Sequence, residues 1–156
     1  MLQIRRDLVD EMVAHARRDH PDEACGVIAG PEGTDRPERF VPMTNAARSP
    51  TFYEFDSGEH FRLWREMDRN DEVPVVIYHS HTATEAYPSR TDINLASEPG
   101  AHYVLVSTRH PDDYELRSYR IVKDPETDVA TVTEEPVEVV ESYLFSHTGA
   151  DDVPDS

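Results

Sequence analysis

The sequence predicts an α/β (α+β) fold, in which a central mixed β-sheet is flanked by helices. Three observations point there. Two segments, near residues 5–20 and 58–69, carry apolar residues at helical spacing. One run, "VPVVIYHSH", is β-branched and apolar enough to be a central strand. Several shorter strand-like runs follow it, and 156 residues suffice for one domain with a sizeable core.

Taken in order, Leu8, Val9, Met12, Val13 and Ala16 form the apolar stripe of a first helix. Arg17, Arg18 and His20 suit its C-terminus, where cations oppose the helix dipole, and Pro21 stops it. "ACGVIAG" reads as a short buried strand ending at Gly30, and "PEGTD" as a turn. "ERFVPM" and "TFYEFD" read as two strands joined by the loop "TNAARSP". A second helix from Gly58 to about Arg69 presents Phe61, Trp64 and Met67 as a core stripe. After the central strand and the loop "TATEAYP", "SRTDINLASE" forms a short helix ended by Pro99 and Gly100. "AHYVLVST", "YELRSYRIV" and "DVATVT" supply three further strands. Residues 1–145 read as one domain. Residues 146–156 are small, polar and acidic, and are expected to be disordered.

Composition excludes some functions. With 32 acidic against 15 basic residues, the net charge is −17 and the pI is near 4.7. Nucleic acid and anionic membranes would be repelled. No apolar run reaches the ~18 residues of a membrane span, and "MLQIRRDLVDEM" lacks the apolar core of a signal peptide. A single cysteine, Cys25, excludes an intramolecular disulfide, so a cytoplasmic location is expected. Cys25 lies within an apolar run and reads as a buried small side chain rather than a nucleophile.

The chemistry concentrates in "HSHTATEAYPSRTD". Residues i and i+2 of a strand share a face, roughly 7 Å apart along the chain, so His79 and His81 can converge on one ion. Asp92 is the nearest carboxylate on a regular element, and two histidines with one carboxylate leave a tetrahedral position for water, as in catalytic zinc sites. Glu85, in the loop, is the rival ligand. An ordinary structural reading stands beside this one: Ser89 and Asp92 have the spacing of a helix capping box, and both histidines suit an exposed strand end. The remaining histidines, His15, His20, His60, His102, His110 and His147, lack ligand-like neighbours and read as solvated or structural.

The His-x-His, seven residues, Ser-x-x-Asp pattern resembles the signature of the JAMM (MPN-plus) zinc metalloproteases, and "HPDEACGVIAG" resembles the upstream segment that carries the family's glutamate. The resemblance runs from the first helix to about Tyr143. It implies a cytidine-deaminase-like fold and one Zn2+ per chain held by His79, His81 and Asp92. It further implies Glu23 as the base that takes the proton from the attacking water, and Ser89 as hydrogen-bond donor to the oxyanion. Within the family, "DEACGV" and "YHSHTATEAYPSRTD" look most similar to the actinobacterial group called Mec. That likeness implies a ubiquitin-like sulfur-carrier protein with a C-terminal Gly-Gly-Cys tail as partner, and release of cysteine as its last biosynthetic step. Arg48 and Arg90 are then the candidate cations for the product's α-carboxylate. A broader isopeptidase acting on lysine-linked conjugates, and a non-catalytic scaffold, are the alternatives. The reading allows a homodimer.

Overall fold

A computed structural model of the protein describes residues 1–143; the acidic tail expected at 146–156 lies outside them. The chain runs β1 (Leu2–Arg5), α1 (Arg6–Asp19), β2 (Cys25–Pro31), β3 (Arg39–Met43), α2 (Ser57–Arg69), β4 (Glu72–His81), α3 (Arg90–Leu95), β5 (His102–Ser107), β6 (Glu115–Lys123), β7 (Ala130–Glu135) and β8 (Val137–Val140). Six strands form the central sheet in the order β3-β2-β4-β5-β6-β7. Its pairs are antiparallel except β4–β5, which makes the sheet mixed, as expected.

The pleat sorts side chains into two cores. Ile28, Val76, Tyr78 and Val104 meet Leu8, Val9 and Met12 of α1 on one face. Val27, Ile77, Tyr103 and Leu105 meet Leu63 and Met67 of α2 on the other. His79 and His81 follow Ile77 at period two and therefore belong to the face of α2 and α3.

Three expectations are corrected. "TFYEFD" is not a strand: only one bridge, Asn45 to Phe55, links this segment to its surroundings. Its alternating aromatics pack inward instead, Tyr53 onto His79 and Phe55 onto His60. Phe61 is not core but 62% exposed, while Leu63 joins Met67 in the buried stripe and Trp64 is half-buried. At 3.6 residues per turn Phe61 lies about 120° round the helix from Met67. Third, a strand precedes α1. β1 pairs in parallel with β8 at the far end of the chain, forming a separate two-stranded sheet.

One close approach sets the spacing of the two strands that matter most. Gly26 faces Tyr78 across the β2–β4 pair, and a Cβ on Gly26 would sit 2.5 Å from the Tyr78 ring. The Tyr78 hydroxyl is 2.7 Å from His15 Nδ1, and the ring stacks on Phe40, so it has little room to move. Gly26→Ala should therefore lower the unfolding free energy by roughly 1–3 kcal/mol, the usual cost of overpacking. Urea denaturation of the two proteins measures this, and an unchanged midpoint would refute the tight fit.

Candidate metal centre and active site

β4 ends at His81, and the two histidines project from its last residues with ring centroids 5.2 Å apart. The chain then turns through residues 82–88 into α3. Ser89 caps α3: its Oγ accepts from the Asp92 amide at 3.1 Å, and Asp92 Oδ2 accepts from the Ser89 amide at 2.8 Å. The capping box expected from the sequence is present. It also aims the Asp92 carboxylate at the histidines, so the structural and metal-binding readings are compatible. Asp92 Oδ2 is 3.0 Å from His79 Nε2 and 3.1 Å from His81 Nε2. All three residues are buried.

These distances can be tested against a shared ion. Ligands at 2.0–2.1 Å in tetrahedral array stand roughly 3.3 Å from one another, close to what is seen between Asp92 and each histidine. The protonation pattern agrees. His81 Nδ1 lies 2.9 Å from the Glu85 carbonyl, which can only accept, so Nδ1 carries the hydrogen. In its neutral form His81 then turns the lone pair of Nε2 toward a carboxylate oxygen, and in its protonated form it donates Nε2–H to that oxygen. Two lone-pair atoms at 3.1 Å need a positive charge between them. His79 Nε2, despite its closeness to Asp92, lacks hydrogen-bond alignment, and neither of its ring nitrogens has a partner among the described residues. The donor set fits a divalent metal.

Electrostatics follow from burial. Burial pushes the Asp92 carboxyl up, but the two histidines and the Ser89 amide outweigh it and hold the group ionised, well below the usual carboxylate range. Burial keeps His79 neutral by pushing its pKa down. Burial also pushes His81 down, yet Asp92 and the Glu85 carbonyl raise it overall. Burial drives the Cys25 thiol up, which leaves it inert.

Glu23 immediately precedes β2 and is buried, with Oε1 unpartnered among the described residues. Burial, with Asp92 adding to it and His81 opposing, pushes its carboxyl up to about 8. Glu23 stands two residues before Cys25, which faces His79 in the β2–β4 register, and so lies at the end of the sheet where His79 and His81 project. Its backbone is pinned on every side. The Glu23 amide donates to the Ser49 carbonyl at 2.9 Å, the Asn45 side-chain amide donates to the Glu23 carbonyl at 3.0 Å, and the next amide, Ala24, donates to Ser80 Oγ at 2.8 Å.

The remaining expected site residues separate. Glu85 serves through its carbonyl, orienting His81, while its side chain is exposed. Arg48 lines a cavity of about 480 Å³ with Glu23, Asn45, Asp19 and Asp22. Arg90, at the start of α3, is exposed and does not line that cavity. Two contributors escaped the sequence reading. Tyr53 stacks on His79 with centroids 4.5 Å apart, and Thr84 Oγ1 lies 3.1 Å from His81 Nδ1. Tyr53 sits in a segment whose alternation mimicked a strand, and nothing in the local pattern around Thr84 marks it.

Similarity to known proteins agrees with this geometry. Over 143 residues the chain is 73% identical to the CysO-cysteine peptidase of Mycobacterium tuberculosis, covering 92% of this chain and 94% of that one. It is 33% identical over 111 residues to the desampylase of Haloferax volcanii, covering 68% and 80%. A protein of Desulfitobacterium hafniense solved in solution superposes with a TM-score of 0.76 at 33% identity, covering 91% and 94%. Residues 5–122 match the family described as prokaryotic homologs of the JAB domain, and the chain belongs to that family.

Proposed function

We propose that the protein is a zinc-dependent peptidase that cleaves cysteine from the C-terminal Gly-Gly-Cys tail of a ubiquitin-like sulfur carrier, the closing step of carrier-dependent cysteine biosynthesis. The observation that carries this is the 73% identity to a CysO-cysteine peptidase over nearly the whole of both chains. The site described above supports it. Two imidazoles and one carboxylate form a donor set that zinc prefers. When bound there, zinc lowers the pKa of its water ligand and polarises the scissile carbonyl.

The protein's own groups do the rest. Glu23, held rigidly at the head of β2 and favoured in its ionised form once a divalent ion sits at the neighbouring residues, takes the proton of the attacking water and returns it to the leaving amine. Ser89 Oγ accepts from the Asp92 amide and keeps its own hydrogen free to donate to the developing oxyanion, a contact worth on the order of 3 kcal/mol. Arg48 and Arg90 are the cations within the segments that frame the site, one on the Glu23 side and one beside Ser89. A cytoplasmic setting suits a chain whose one cysteine is a buried free thiol. Among the described residues no helix is long and apolar enough to cross a membrane.

The desampylase similarity keeps an isopeptidase reading in view, and one assay separates the two. Incubating the protein with a carrier–cysteine adduct and with lysine-linked conjugates of the same carrier, followed by intact-mass spectrometry, should show loss of one cysteine from the adduct. Cleavage of the conjugates alone would sink the cysteine reading in favour of the isopeptidase.

Separate substitutions should divide base from ligand. Glu23→Gln should retain bound zinc and lose roughly 10²–10⁴-fold in kcat. Asp92→Asn should lose both metal and activity, because the ionised oxygen shared by the two histidines is gone. Metal content by atomic spectroscopy, read beside turnover, checks both. Full turnover by zinc-loaded Glu23→Gln would remove Glu23 from the base role.

A further inference from the structure

We propose that Arg48 reads the free α-carboxylate of the residue being released, and so makes the site selective for a carboxy-terminal residue over a lysine-linked conjugate. The inference rests on the substrate reading above and adds to it the residue that sets specificity.

The chemistry fixes where such a cation must be. Hydrolysis adds water across the glycine–cysteine amide, breaks its C–N bond, and leaves a carrier carboxylate and a cysteine whose amine has gained a proton. In that cysteine the α-carboxylate is separated from the leaving nitrogen by a single carbon. The cation must therefore lie on the side where the leaving amine is protonated, the side of Glu23. Arg48 and Glu23 line the same cavity, whereas Arg90 does not line it. Arg48 is also the only lysine or arginine in that lining, and Asp19 and Asp22 accompany Glu23 there. His15, which also lines the cavity, lies 3.1 Å from Asp19, so the guanidinium of Arg48 is the group there left to take a carboxylate.

The loop is built to hold Arg48 there. Buried Asn45 anchors it: the Asn45 side chain accepts from the Ala47 and Glu54 amides and donates to the Glu23 and Phe52 carbonyls. The Arg48 amide donates to the Asn45 carbonyl, and the Ser49 carbonyl accepts from the Glu23 amide. Thr82, next to His81, donates to the Pro50 carbonyl. The stretch is thus tied to both the base and the ligand strand. Within it Arg48 takes a φ of 48°, a left-handed conformation that costs a bulky residue about 1 kcal/mol and suits glycine better. The guanidinium makes no ion pair among the described residues. It is free to take a carboxylate in its two-pronged geometry.

A lysine-linked conjugate offers no such group. There the leaving nitrogen is the ε-amine of a side chain, far from any free carboxylate. Arg48 would gain nothing from it.

The test uses the left-handed backbone. Arg48→Gly removes the side chain at a position glycine favours, so loop geometry should survive; unchanged zinc content and unfolding midpoint verify this. Carrier adducts ending in cysteine free acid and in cysteine amide are each assayed with wild type, Arg48→Gly and Arg48→Lys. Wild type should prefer the free acid by roughly 10- to 100-fold in kcat/KM, the value of a hydrogen bond to a charged group. Arg48→Gly should lose that factor on the free acid and converge with wild type on the amide, while Arg48→Lys recovers part of it. Equal losses on both substrates, or no loss on the free acid, overturn the role of Arg48 while leaving the peptidase reading intact. A wild-type chain that cleaves neither adduct overturns the substrate reading and this inference together.

Discussion

Asp92 Oδ2 lies within 3.1 Å of an imidazole nitrogen from each of His79 and His81 and accepts the Ser89 amide at 2.8 Å, and Asp92 and both histidines are buried. An ionised oxygen in such a place must be compensated, since a buried charge that loses its partner costs several kcal/mol. The Ser89 amide supplies part. The histidines supply the rest only if a proton or a metal lies between them and the carboxylate, because His81 has committed its one hydrogen to the Glu85 carbonyl. A cation bound at these three residues would therefore be a structural partner as well as a chemical one. It would tie β4 to α3 in the same act that equips the site, and its binding free energy would add to the stability of the fold.

The pairing of β2 with β4 carries the second demand, which is to bring a carboxyl from far upstream against those ligands. Cys25 stands opposite His79 in the register, so the residues just before β2 fall level with the end of the His-x-His strand. Ser80, whose side chain points away from the metal face, is not idle: its hydroxyl takes the Ala24 amide and its own amide donates to the Ala24 carbonyl. That double link continues the ladder one step beyond the regular strand. It fixes the position of Glu23, while Gly26 lets the two strands close without displacing Tyr78. Each residue of "HSH" thus has a directional task, set by the period of two.

What was legible in the sequence divides along this line. The histidine pair and the capping box are local patterns, readable because strand and helix periods fix which side chains share a face. Glu23 was legible only through resemblance, because its place is made by a strand pairing across more than fifty residues that no local pattern encodes. The same limit hid β1 and β8, which are short and find each other only from opposite ends of the chain. "TFYEFD" misled for the opposite reason. Its alternating aromatics satisfy the strand pattern, but they bury against His79 and α2, and the backbone pairs with residues 44–46 through a single bridge too short to make a strand. Phe61 was assigned to the core by counting apolar residues at helical spacing, although the stripe through Leu63 and Met67 already filled the buried face.

The sheet itself explains why the ligand carboxylate is where it is. β4–β5 is the one parallel pair in the six-stranded sheet, and parallel neighbours cannot be joined by a tight turn. The chain must leave the end of β4, travel the length of the strands and re-enter at the opposite end. Its first helix, α3, consequently starts beside the residues that end β4. A helix starting there needs its first amides satisfied, and a Ser-x-x-Asp cap does that with a carboxylate that can only lie near the strand end. Topology thus delivers an acidic side chain to the histidines before any selection for metal binding is invoked. The antiparallel pairing of β2 with β4 brings the head of β2 to the same end of the sheet, and Glu23 with it. One parallel crossover and one antiparallel neighbour are enough to assemble the three candidate ligands and the proposed base at one end of the sheet.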